Sequence, residues 1–400
     1  MNQQYDFFAF TETLDTVVVE HYEHKQEWVV SATARSEIKK IFERYPSLRT
    51  HGFLPEKDPL TKFPDGSRFA MLDTVGIELP GMLKDKKNFR HWAKSLKIPR
   101  WSSIGFQPDV AELRLYSVRL TFLASAYVHQ IGVETATVLP RNIAVPLAEA
   151  CFSLCRLPIL SYDGYALYNW RRINPRGEIA LGNIDTIQNF VEMYDEHWFI
   201  LVHVEIEAIA TNILVALARY AEGSADIDTA LSSIHDTVLR MTKVLRRIPE
   251  HMDPDLYFST FRPYIQGFEN VIYEGVSKTP KSFRGETGAQ SSIMPLLESF
   301  LKIPHQPSML THHLADMRNY MPLEHVLLLE AVDRLPPISD VASKGPWNAV
   351  LEAMVEFRQV HIVWAKQYIA RHGGSKGTGG TPFMPWLSQL IQETLDARKN

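Results

Sequence analysis

Residues 197–222 (HWFILVHVEIEAIATNILVALARYAE) are apolar around most of the circumference that an α-helix would give them. A helix of that kind has almost no solvent face. It has to run through the centre of a folded body with other elements packed around it. Helical spacing recurs elsewhere: residues 111–130, 228–248 and 354–370 each place apolar side chains three and four apart. Residues 17–20 and 28–31 read as short strands, but no series of alternating segments could build a large sheet. The expectation is an all-α fold.

Two segments interrupt the helical pattern. Residues 174–183 (NPRGEIALGN) form a Pro- and Gly-marked connection. They divide the chain into a small, mostly helical N-terminal domain (1–175) and a large C-terminal helical domain (176–400). Residues 371–382 (RHGGSKGTGGTP) hold five glycines between two helical stretches. Such a segment is either disordered or a lid over a site.

Composition narrows the function. The chain is 45% hydrophobic and 22% charged with a net charge of −4, and neither sign forms a long block. No electrostatic attraction to nucleic acid or to an anionic membrane is expected. The two cysteines, Cys151 and Cys155, fall on one probable helix, which suits a reducing compartment better than a disulfide framework. The N-terminus (MNQQYDFFAF) lacks the segments of a signal peptide. No stretch approaches the ~20 uninterrupted apolar residues of a membrane span. A soluble, cytoplasmic protein is expected, with its oligomeric state open.

The common catalytic motifs are missing. No GxGxxG follows a strand, and Lys376 in the glycine segment lacks the order of a phosphate loop. HExxH and GxSxG are absent, and His21 with His24 reads as surface. CxxCH is absent too, so any haem would be held non-covalently.

What stands out is a set of polar side chains on apolar helices. His361, in VHIVWAKQYI, is either a satisfied core histidine or a proximal ligand, since haem iron takes a neutral imidazole in a dry pocket. Arg358 lies three residues earlier on the same side, able to meet a propionate or simply solvent. His203 and Glu207 stand at i and i+4 on the most apolar helix, either as a buried pair or with the histidine facing a ligand pocket. Arg262, among Phe258, Phe261 and Tyr264, suits either a helix-capping arginine or a cation that receives a carboxylate.

Seven stretches in order resemble the indoleamine 2,3-dioxygenase family. They are VLPRNIAVP (138–146), FSTFRPYIQGF (258–268), YEG (273–275), FRGETGAQSS (283–292), DMRNYMP (316–322), the His361 helix and GTGGT (377–381). The resemblance implies a small N-terminal and a large C-terminal helical domain with b-type haem between them. It also implies a reaction on L-tryptophan or a related indoleamine. Both atoms of O2 enter across the indole C2–C3 bond to give N-formylkynurenine, the entry to tryptophan catabolism through kynurenine.

The same resemblance assigns His361 as iron ligand, Arg358 as propionate partner, Arg262 as carboxylate binder and Thr378 as the threonine closing over the amino-acid end. It makes Tyr127, Phe199, Tyr257, Phe258, Thr287 and Gly288 the pocket lining. Tyr257 and Glu298 replace a phenylalanine and an aspartate of the animal enzymes. His203 falls where those enzymes carry a distal serine, although a register two residues different puts Leu201 there. A distal histidine is a trait of the related tryptophan 2,3-dioxygenases, where it meets the indole N–H. Two other readings remain: a same-fold haem enzyme rearranging a substituted tryptophan in secondary metabolism, and a haem-binding protein without turnover.

Overall fold

The computed structural model describes residues 34–86, 88–103 and 109–400. The strands expected at 17–20 and 28–31, the pair His21 and His24, and the N-terminal segment read for a leader lie outside the described residues.

Helices dominate, as the spacing predicts. The major ones are α1 (Ala34–Arg44), α2 (Met71–Lys84), α3 (Phe89–Ser95), α4 (Val110–Val128) and α5 (Arg141–Ser153). The long helix α6 (Tyr194–Glu222) follows, then α7 (Ile227–Leu245), α8 (Ile293–Leu301) and α9 (Met309–Arg318). Last come α10 (Leu323–Asp333), α11 (Lys344–Tyr368) and α12 (Phe383–Asp396). Strands are short: β1 (Val138–Leu139), β2 (Trp170–Arg172), β3 (Ile184–Thr186), β4 (Phe268–Tyr273) and β5 (Lys281–Phe283). β4 pairs in parallel with β1 and antiparallel with β5, while β2 and β3 form a separate antiparallel pair. Residues 174–183 are the loop of that pair, closed by the Ile173 N–H on the Asn183 carbonyl.

Local chemistry sets the helix ends. Asp109 and Asp226 accept the N–H groups of Ala111 and Thr229 at the starts of α4 and α7. Gly223 ends α6 with φ +76°, a left-handed turn that a side chain would strain.

The apolar girth of α6 has a packing reason. Buried side chains form two cores, and α6 belongs to both. Ile200, Leu201 and Val204 face the first, with α2, α4, α5 and β4. Trp198, Val202, Ile206, Ile213 and Leu217 face the second, with α1, α7, α8, α10 and α11. By length and composition α6 could cross a membrane, but 67% of its most apolar window is buried inside the protein. The second core also draws on Ile38, Phe42 and Phe53, and the first on Met317 and Tyr320, so neither is built from one continuous stretch.

Candidate active site

A cavity opens where α6, α7, α9, α11, α12 and the segment after β5 meet. It holds about 1280 Å³ of atom-free space including its mouth. Most of its wall is apolar: Ile206, Met241, Leu245, Leu310, Phe357 and Trp386 all contribute. Into it project His361 from α11 and His203 from α6.

His361 is exposed yet enclosed, because the surface it shows is that of the cavity. Enclosure by the cavity walls, with His203 and then Arg358 nearby, pushes its pKa down to about 4. The imidazole is therefore neutral, and neither ring nitrogen has a hydrogen-bond partner among the described residues. His203 is also held neutral by burial. Its Nδ1 lies 2.7 Å from the Phe199 carbonyl one turn back, so Nδ1 carries the proton and Nε2 is left as an acceptor. The ring packs edge-on against Phe199, centroids 4.7 Å apart, and against Tyr162 at 6.0 Å.

Glu207 is not the partner of His203. Its carboxyl accepts the Tyr162 hydroxyl at 2.9 Å and the Ser291 hydroxyl at 2.7 Å, and Tyr162 and Ser291 both line the cavity. The other oxygen, Oε2, is buried without a partner among the described residues. Burial outweighs the two hydrogen bonds and pushes the carboxyl up to about 7. The second buried acid of α6, Glu196, is likewise pushed up to about 7 by burial, against the Phe190 and Val191 N–H groups that it accepts.

Arg358 is buried at the cavity edge and donates to Glu298, to Thr394 and to the Leu390 carbonyl. Burial alone would raise the Glu298 pKa, but Arg358 and then His305 hold it below the ordinary range. His305 in turn meets Glu393 at 2.6 Å, which ties α12 to the same cluster. The cation of Arg358 thus already carries its own counter-ion.

The glycine segment is folded over one side of the cavity, to which Gly377 and Thr381 contribute. A Cβ on Gly379 would stand 3.3 Å from Thr287 and 3.5 Å from His313, and Gly380 has φ +83°. A side chain at 379 would be tight against Thr287, and the left-handed turn at Gly380 favours glycine there. Arg262 docks the segment through a 2.8 Å bond to the Lys376 carbonyl and lies over the Phe258 ring, 5.2 Å from its centroid. Its Nε is buried without a partner, and no carboxylate pairs with it, among the described residues.

Of the side chains expected at the site, His203, Thr287, Gly288, Arg358 and His361 line one cavity. Phe199 and Tyr257 stand behind His203, their rings 5.4 Å apart. Arg262, Phe258 and Thr378 gather at the glycine segment. None of these five forms part of the cavity wall, and neither does Tyr127, which is on α4, 3% exposed and packed into the first core. The tyrosine at the cavity is Tyr162, for which SYDGYALYNW carries no local signal. There the chain winds wider than an α-helix over Asp163–Leu167, and again over Tyr257–Phe261. Such single wide turns cluster at functional sites. Ser291 was within reach of sequence reasoning, since it sits in FRGETGAQSS, but nothing local marks it as the partner of Glu207.

The donor set bears on what the cavity could hold. Among the described residues no three His, Cys, Asp or Glu side chains converge on a metal position. One neutral, unbonded imidazole in an apolar cavity suits a metal that brings most of its ligands with it, which is the coordination of haem iron.

A family model described as indoleamine 2,3-dioxygenase matches residues 41–374. Indoleamine 2,3-dioxygenase 2 of Homo sapiens is 29% identical over 393 residues, covering 89% of this chain and 95% of its own. Indoleamine 2,3-dioxygenase of Saccharomyces cerevisiae is 27% identical over 425 residues, with coverages of 89% and 93%. A myoglobin of Haliotis diversicolor is 25% identical over 388 residues, with coverages of 89% and 98%.

Proposed function

The chain belongs to the indoleamine 2,3-dioxygenase family, and on that premise we propose that its cavity binds b-type haem and cleaves the indole ring of L-tryptophan or a close indoleamine. It is an oxidoreductase of the tryptophan-oxidising dioxygenase kind. In the proposed reaction the C2–C3 double bond breaks and each carbon gains one atom of O2, so N-formylkynurenine forms with no net uptake or release of protons. The observation that carries this reading is the pair His361 and His203, two neutral imidazoles with a free ring nitrogen each, facing one apolar cavity.

Haem, when bound, supplies the activation of O2. The chain supplies the rest. His361 would hold the iron, and His203 Nε2 would accept the indole N–H. Arg262, with no carboxylate of its own, would take the substrate carboxylate. The glycine segment with Thr378 would cover the amino-acid end, and the apolar walls would exclude water while orienting the ring. A propionate near Arg358 would share that cation with Glu298.

The myoglobin relative favours a second reading, reversible O2 binding by haem without turnover. One assay separates the two. Reduced, haem-loaded protein is mixed with L-tryptophan in air, and the near-ultraviolet absorbance of N-formylkynurenine is followed alongside O2. The first reading requires product in step with O2 consumed. Reversible O2 uptake with no product would leave only the second.

A further inference from the structure

A second hollow lies away from the cavity, beneath the wide turn Asp163–Leu167. Arg114 and Ser117 of α4, Cys151 of α5, and Arg156, Asp163 and Tyr168 bound it. The space open to the centre of a water-sized sphere is about 10 Å³, room for a single small particle.

Its charges are unevenly matched. Asp163 is the carboxylate in the lining. One of its oxygens takes Arg156 Nε at 2.8 Å and Nη2 at 2.6 Å, and the other takes the Ser161 hydroxyl at 2.6 Å. Arg114 Nη1 stands 3.6 Å from the same carboxylate, and its guanidinium lies over the Tyr168 ring. The Nη1 groups of both arginines are buried and make no hydrogen bond among the described residues. Arg156 is 6% exposed, and with Nε and Nη2 on Asp163 its Nη1 is the arm left for the hollow. Two cations against one carboxylate leave the lining with one net positive charge. Cys151 does not offset it, because burial pushes the thiol up to about 12. Glu324 acts on Arg114 only as a weaker neighbour than Asp163. The positive field reaches His325, which burial first and then Arg156 and Arg114 push well below its ordinary range.

A buried donor without an acceptor is costly, and a buried charge without compensation more so. Water would fit the size and leave the charge. A monovalent halide is little larger than water, can accept from the two unbonded Nη1 groups and would bring the missing negative charge. We propose that this hollow is a chloride site, in which one ion bridges Nη1 of Arg114 and Nη1 of Arg156. Through Arg156 and its bonds to Asp163 the ion would tie α4 to the start of the wide turn, next to Tyr162 in the cavity wall.

The test uses unaltered protein in two ways. Thermal unfolding is followed in sodium chloride and in sodium gluconate at matched ionic strength, between about 5 and 300 mM. A bound ion raises the transition temperature in chloride alone, as the logarithm of concentration once the site is filled, whereas screening acts alike in both salts. Crystals grown in sodium bromide are then read for anomalous scattering. A bromide peak within hydrogen-bond reach of both Nη1 atoms is the expected result. Equal transition temperatures in the two salts, or a hollow holding only water, would overturn the proposal. Arg156→Gln should abolish the chloride-specific rise, and if that variant does not fold, the bromide crystals decide alone.

Discussion

Glu207→Gln isolates one buried acid behind the cavity wall. In the folded chain burial disfavours the charged form of the Glu207 carboxyl and pushes it up to about 7, from an ordinary value near 4.5. A carboxyl raised in this way contributes stability that is fully present below about 4.5. That stability is lost as pH rises toward the folded value, since over this window only the unfolded chain gives up the proton. The raised pKa corresponds to a loss of roughly 3 kcal/mol between pH 4.5 and 7.

Glutamine keeps the shape and can still accept from Tyr162 and Ser291, but it cannot ionise. Its amide nitrogen falls where Oε2 has no partner, an offset of about 1–3 kcal/mol that does not change with pH. Glu196 and Glu286 also titrate high, at about 7 and about 8. Both are present in the two proteins, so they cancel in the difference. By scanning calorimetry the variant should therefore gain on the unaltered protein as pH rises from 4.5 to 7. The gain is about 3–4 °C in transition temperature, from an unfolding entropy near ~2.1 cal/mol/K per residue. A difference that stays flat across that range would refute the reasoning, and with it the claim that burial raises the Glu207 pKa.

Three further outcomes test the site itself. His361→Ala should lose the Soret band or hold haem only loosely; full haem content with an unchanged ferrous spectrum would show that another group binds the iron. Arg262→Ala should keep haem and lose about ten- to a hundredfold in kcat/KM for tryptophan, with indoles lacking a carboxylate much less affected. Equal weakening of both would instead trace the loss to the broken contact with the Lys376 carbonyl. Burial lowers the pKa of His203, so activity should fall only when pH drops below the ordinary imidazole range of ~6.5 and the acceptor is protonated. His203→Ser should lose that acid limb and penalise 1-methyltryptophan less, and an unchanged pH profile would count against the role.

Much of this was legible in the sequence because a helix repeats every 3.6 residues and so declares which side is apolar. The all-helical character, the burial of α6 and the setting of His361 and Arg358 on one side of α11 follow from that periodicity alone. So does the demand that His203 and Glu207 find partners. Which partners they find does not follow. Glu207 reaches Tyr162 and Ser291, 45 and 84 residues away along the chain, although His203 is one turn from it. Arg358 meets Glu298, 60 residues off, and Arg262 meets Lys376, 114 residues off. The exchange of Tyr127 for Tyr162 at the cavity has the same origin. Both are aromatic residues in apolar helical stretches, and only the packing of α4 against the rest of the first core decides that Tyr127 faces away. Periodicity is local and sets the direction of a side chain about its own axis. What stands opposite depends on how distant segments dock, and that is written in no single stretch.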